Sequence, residues 1–216
     1  MLRLTLPSSG KSPLRLLCLG AHSDDIEIGC GGTILRLLAE RRASVDWVVF
    51  SADTVRAREA RKAASLFLRG AAASRVTVRR FRDGFFPAQF AKIKGEFERL
   101  KKRTSPDLIF CPSRQDAHQD HRTVAELVWN TFRDHMILEY EIPKYDGDLG
   151  APGFFVPLTE QTCTRKIELI LKAFCSQAGR QWFREDTFRS LLRLRGIESN
   201  SSSGFAEAFY FRKALL

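Results

Sequence analysis

Two short clusters in this sequence bring together side chains that bind metals and move protons. The first, Ala21-His22-Ser23-Asp24-Asp25, follows the apolar run Leu16-Leu17-Cys18-Leu19 and leads toward Gly29, Gly31 and Gly32. The second, Asp116-Ala117-His118-Gln119-Asp120-His121, follows the apolar run Leu108-Ile109-Phe110-Cys111 and also precedes a helical pattern. A catalytic divalent metal such as zinc is commonly held by three protein ligands drawn from imidazole and carboxylate, with one position left open for water. His22, Asp25 and His121 supply that set. Asp24 then stands beside the water as a general base, His118 faces the substrate oxygen, and Asp120 orients one of the histidines or keeps it protonated. Taken singly, each cluster reads equally well as loop residues and helix caps. Together they gain weight, because open α/β sheets bind ligands beyond the carboxyl ends of their strands.

The elements that must position these groups alternate along the first two-thirds of the chain. Short apolar runs at 14–19, 45–50, 108–111 and 137–142 read as buried strands, with a weaker strand at 76–81. Helical spacing covers 33–40, 56–68, 90–101 and 123–132. Strand–helix alternation of this kind predicts an α/β fold, a Rossmann-like, mostly parallel sheet with helices on both faces. Residues 144–158, rich in Gly, Pro and Asp, read as a functional loop. Helices are expected near 163–175 and 181–194, then a Ser-rich hinge at 200–204 and a closing segment at 205–211. The whole chain, 1–216, reads as one domain, with 1–13 as a flexible leader.

Composition narrows the classes of partner. With 35 Lys+Arg against 25 Asp+Glu, the net charge of +10 favours anionic partners without choosing among them. The aromatic residues are scattered and form no basic groove of the kind single-stranded nucleic acid needs, so no nucleic-acid partner is expected. The five cysteines are odd in number and lack zinc-site spacing, which fits a reducing compartment. No stretch has the length of a membrane span, and the N-terminal apolar run is too short for a signal peptide. A cytoplasmic protein is expected. The glycines after Asp25 are not a dinucleotide fingerprint, since that needs glycines directly in the turn after the strand, where this chain has its acidic pair.

These residues resemble the LmbE-like, or PIG-L, de-N-acetylases. The mark of that family is Ala-His-Pro-Asp-Asp, then Gly and Gly-Gly-Thr, and later His-x-Asp-His. This chain has Ala21-His22-Ser23-Asp24-Asp25, Gly29, Gly31-Gly32-Thr33 and His118-Gln119-Asp120-His121, with a further echo in Ala206-Glu207-Ala208-Phe209. The departure is Ser23 in place of Pro, which removes a rigid turn residue but no ligand. The resemblance implies a zinc-dependent hydrolase, another divalent metal being an alternative, that removes acetyl from an N-acetylated amino sugar or glycoconjugate and releases acetate and a free amine. It implies His22, Asp25 and His121 as ligands, Asp24 as base, His118 as the group that stabilises the oxyanion and Asp120 as the partner of His118. That pairing would raise the His118 pKa.

Two further residues are candidates for substrate contact. Arg56 opens the second helix in a pattern similar to a family segment whose Arg faces the substrate; ordinary ion pairing on a solvated face is the competing reading. Asp83 could bind a sugar hydroxyl, although Asp83-Gly84 is first a turn signal. The basic run Arg180, Arg184, Arg189, Arg193 and Arg195 reads as a solvated helical face, with phosphate recognition as its functional alternative. The sugar could be free, nucleotide-linked or lipid-linked, and a homo-oligomer is compatible with the apolar residues of the last third. The rival from another class is a non-catalytic sugar- or nucleotide-binding module on the same fold.

Overall fold

A computed structural model describes residues 12–214, so the leader expected over 1–13 lies, as far as residue 11, outside the described residues. Five strands alternate with helices: β1 (Leu14–Gly20), α1 (Asp25–Glu40), β2 (Ala43–Val49), α2 (Thr54–Phe67), β3 (Ala73–Val78), α3 (Phe90–Arg103), β4 (Leu108–Pro112), α4 (Gln119–Thr131) and β5 (Met136–Tyr140). The remainder adds β6 (Phe154–Pro157), α5 (Glu160–Ala173), α6 (Glu185–Glu198) and β7 (Ala206–Tyr210). Their order in the sheet is β3-β2-β1-β4-β5-β7-β6. The first five pair in parallel, and β7 runs antiparallel between β5 and β6. The chain steps outward from β1 to β3 and then returns to β4 on the other side of β1. The carboxyl ends of β1 and β4 therefore flank the topological switch point, where such sheets open a crevice.

Residue alternation along the central strands divides the core. Leu16 and Cys18 of β1 face the layer built from α1, α2, α5 and α6, whereas Leu17 and Leu19 face the layer of α3 and α4. Strands buried on both faces read as continuous apolar runs, which is why β1 and β4 were legible. The expected mostly parallel sheet with helices on both faces is the architecture observed.

Helix α1 begins at Asp25, eight residues before the expected start at 33. Glycine is a poor helix former, and its cost hid the first two turns. Packing reverses that cost. A Cβ on Gly29 would lie 2.2 Å from the Tyr140 ring, one on Gly31 2.6 Å from Phe67, and one on Gly32 2.5 Å from Leu158. Only glycine lets α1 approach β5 and α2 this closely. Tyr140 in turn donates from its hydroxyl to the Leu19 carbonyl at 2.6 Å, binding β5 to the end of β1.

The loop expected over 144–158 ends in a short strand, β6, paired to β7. The tail motif has a definite place. Glu207 on β7 is buried and accepts from the backbone N–H groups of Gly32 (2.7 Å) and Thr33 (2.6 Å). Lys166 on α5 completes the contact, donating to Glu207 (2.6 Å) and to the Ile28 carbonyl (2.6 Å). A buried ion pair thus grips the middle of α1 through its backbone.

Arg195 departs from the solvated face expected for the basic run. It is 3% exposed and makes paired hydrogen bonds to Glu141 at 2.7 Å each, with further bonds to Glu198 and to the Gly150 carbonyl (3.0 Å). Planar guanidinium geometry suits such a many-sided anchor, and a helical spacing of arginines carries no mark of which one points inward. All five cysteines are free. No helix among the described residues is long and apolar enough to cross a membrane.

Candidate active site

The two sequence clusters meet at the switch point. His22 follows β1, Asp25 opens α1, and His121 lies in the first turn of α4. His22 Nδ1 is 3.1 Å from His121 Nε2, while Asp25 Oδ2 is 3.3 Å from His121 Nε2 and 3.7 Å from His22 Nδ1. A tetrahedral site with bonds of about 2.0–2.1 Å has ligand–ligand edges of about 3.3–3.4 Å, so these three atoms have the separations and the chemistry of one face of a metal site. Each histidine also has its other ring nitrogen on a carboxylate, as metal-binding imidazoles usually do. His121 Nδ1 is 2.8 Å from Asp116, and His22 Nε2 is 2.9 Å from Asp83 and 3.4 Å from Asp120. Nitrogens of His22, His118 and His121 also lie within 4.8 Å of one another.

Proton affinities follow from this crowding. Burial opposes charge on His121, but Asp25 and Asp116 outweigh it and push its pKa up to about 9. His22 is likewise held well above the ordinary histidine value, burial being outweighed by Asp120 and Asp83. Asp25 is held far below the carboxylate range, the two histidines overcoming its burial. A divalent cation at the same point would replace the protons that these imidazoles otherwise attract.

Asp24 is the N-cap residue of α1 yet makes no side-chain cap hydrogen bond. Its Oδ1 instead lies 2.9 Å from Arg56 Nη2, a pairing that the sequence did not reveal. Burial raises its pKa, and Arg56 only partly offsets that rise. A carboxylate poised above its usual range is a better base near neutrality. Arg56 is itself mostly buried, pairs also with Glu59 at 3.1 Å, and sits 5.3 Å from the Phe174 ring centroid. Its guanidinium is therefore held in the site rather than on a solvated face. Also in the first turn of α1, Glu27 is fully buried with its carboxyl pushed well above the ordinary value, first by burial and then by Asp24 and Asp25.

His118 caps α4, its Nδ1 accepting from the Asp120 N–H at 3.2 Å. That bond places the proton of the neutral imidazole on Nε2. The expected rise in its pKa is overturned: burial lowers it, and His22 and His121, with ring centroids 4.8 and 5.0 Å away, lower it further. Asp120 is not its carboxylate partner. The Asp120 side chain instead accepts from Gly84 N (2.7 Å) and Phe86 N (3.0 Å), pinning the loop after β3 against α4. Gly84, at φ +76°, makes the turn, and Asp83 thereby reaches His22 with a side chain still 72% exposed. Sequence reasoning left Asp116 without a role, although it stands five residues before His121 in the same cluster. Its carboxylate holds both His121 Nδ1 and the His118 N–H (2.8 Å).

A family model described as "PIG-L: GlcNAc-PI de-N-acetylase" matches residues 17–132, more than half of the chain, from within β1 to the end of α4. The chain belongs to the PIG-L de-N-acetylase family. Solved structures agree on the fold. The chain is similar to N,N'-diacetylchitobiose deacetylase from Pyrococcus horikoshii, with 21% identity, TM-score 0.73, and 94% of this chain and 85% of that one covered. It is similar to a teicoplanin deacetylase solved in a zinc-inhibited form, at 14% identity and TM-score 0.70, covering 91% and 97%. It is also similar to GalB, the 4-carboxy-2-hydroxymuconate hydratase from Pseudomonas putida KT2440, at 16% identity and TM-score 0.69, covering 94% and 98%. A hydratase on this scaffold means that the fold alone does not name the reaction. Membership of the PIG-L family, and the residues at the switch point, carry that part.

Proposed function

We propose that this protein is a metal-dependent hydrolase that removes the N-acetyl group of an amino sugar or glycoconjugate, with zinc as the metal and His22, Asp25 and His121 as its ligands. The observation that carries the reading is the meeting of three ligand atoms at 3.1–3.7 Å, one of them on the residue that follows Asp24, a buried carboxylate that makes no helix cap. A sugar-binding module has no use for that carboxylate. When bound, the metal supplies Lewis-acid polarisation of water and of the acyl oxygen.

The residues divide the remaining work. Asp24, held by Arg56, takes a proton from the attacking water as the new C–O bond forms at the acetyl carbon. His118 donates its Nε2–H toward the oxygen on which negative charge develops, a role that a neutral imidazole performs without first being protonated. The protonated Asp24 then returns its proton to the nitrogen as the C–N bond breaks, leaving acetate and a free amine. Asp83, exposed at the rim with one oxygen on His22, is placed to accept from a sugar hydroxyl. The net positive charge supports an anionic substituent on the sugar, as in nucleotide-linked or lipid-linked forms, and the five free cysteines support a cytoplasmic setting.

Acetate release from N-acetylated sugars presented free, nucleotide-linked and lipid-linked, with zinc supplied, tests the reading. At least one class is expected to be hydrolysed, and Asp24→Asn is expected to lower its turnover by roughly 10²–10⁴-fold while keeping the metal. Zinc-loaded Asp24→Asn turning over at the parent rate would remove Asp24 from the mechanism.

A further inference from the structure

Residues 143–153, between β5 and β6, are tied to the ligand His121 by one side chain. Lys144 Nζ lies 3.1 Å from Asp116 Oδ2, the same oxygen that holds His121 Nδ1 at 2.8 Å. The ammonium also contacts both Asp148 oxygens, at 2.6 and 2.5 Å. Asp148 in turn accepts from the Ala117 N–H at 2.6 Å, one residue after Asp116. Lys144, Asp148 and Asp116 have side chains 12%, 13% and 2% exposed, so little water screens them. At its far end the segment is fixed by Arg195, which donates to the Gly150 carbonyl while paired with Glu141. The segment is thus held at both ends, with Gly147 making its turn at φ +62°.

We infer that Lys144 is a positioning residue for the metal centre: it holds the Asp116 and Asp148 carboxylates together, and so fixes the carboxylate that orients His121. The inference rests on the metal-site reading above. Its physical basis is charge. Two carboxylates share one ammonium within a few ångströms, and removing that ammonium leaves two like charges facing each other in a place water barely reaches. The segment is the part free to give way. Asp148 would swing out, the Ala117 N–H would lose its acceptor, and Asp116 would no longer hold the His121 Nδ1–H in place. Partners of this kind are worth about 10–100-fold in metal affinity.

The test is the zinc dissociation constant, measured on the full chain by competition with a chromophoric chelator, together with the visible spectrum of the cobalt-substituted protein. Lys144→Met is expected to weaken zinc binding by about 10–100-fold and to change the cobalt spectrum, with Lys144→Arg staying close to the parent. The double variant Lys144→Met/Asp148→Asn, which removes the like-charge conflict, is expected to recover most of the lost affinity. Should Lys144→Met fail to fold, Lys144→Gln takes its place with the same expected loss. Parent-like zinc affinity in a folded Lys144 variant, or a double variant whose loss equals the sum of the two single losses, overturns the inference and leaves the metal site standing. A parent protein that takes up no zinc or cobalt overturns both.

Discussion

At the scale of single residues, the site is arranged by what each imidazole or carboxylate touches second. His22 and His121 each turn one nitrogen toward the ligand position and the other toward a carboxylate, which fixes ring and tautomer together. Asp24 is set by Arg56, and the sign of that pairing can be read in kinetics. The guanidinium stabilises the ionised carboxylate, so its removal in Arg56→Met raises the Asp24 pKa further above the ordinary value. The base is then ionised only at higher pH. The acidic limb of the kcat/KM profile is therefore expected to move to higher pH in Arg56→Met and to return toward the parent position in Arg56→Lys. An unmoved limb would mean that Asp24 does not govern it. Every ligand and acid–base candidate was legible in the sequence, because His and Asp at strand ends have few other uses in such numbers. The pairings were not. The family resemblance implied Asp120 as the partner of His118, but at the start of a helix its side chain turns to the loop after β3, and only the fold brings that loop into reach.

At the scale of elements, α1 is the piece that the site depends on. Its first residue is a ligand candidate, its N-cap the proposed base, and its glycines let it lie against Tyr140 and Phe67. Gly29→Ala is expected to lower the melting temperature, at a cost of about 1–3 kcal/mol or more for forcing a methyl into a filled core, and to lower activity with it. Gly95, within α3 with open space where its Cβ would be, is the control. Gly95→Ala is expected to stabilise by up to about 1 kcal/mol, as helix propensity alone dictates. If the two substitutions shift the melting temperature alike, close packing is not what holds glycine at position 29. The α1 start was misplaced from sequence for this reason: propensity speaks locally, whereas Tyr140 lies more than a hundred residues away.

At the scale of the whole molecule, the parallel half of the sheet could be read from alternating apolar runs, but the edge formed by β7 and β6 could not. Strand order there depends on long-range pairing, and β6 is only four residues long. The tail echo around Glu207 becomes intelligible only when β7 is seen beside β5, bringing that carboxylate and Lys166 onto the backbone of α1. Lys166→Met leaves Glu207 buried without its countercharge and is expected to cost about 3–5 kcal/mol, measured by urea unfolding. A cost below about 1 kcal/mol would show that the backbone N–H groups of α1 satisfy Glu207 unaided. The centre of the account, however, is that the two ends of the family segment close on one metal ion. The most direct measurement is zinc content per chain, with acetate release followed in parallel, for the parent, Asp25→Ala and His121→Ala. One zinc per parent chain is expected, with activity that falls on chelation and returns on zinc addition, and both variants are expected to lose metal and activity together. Either variant binding zinc as tightly as the parent would contradict the ligand assignment, and a parent that hydrolyses its substrate at full rate after complete chelation would contradict the metal centre itself.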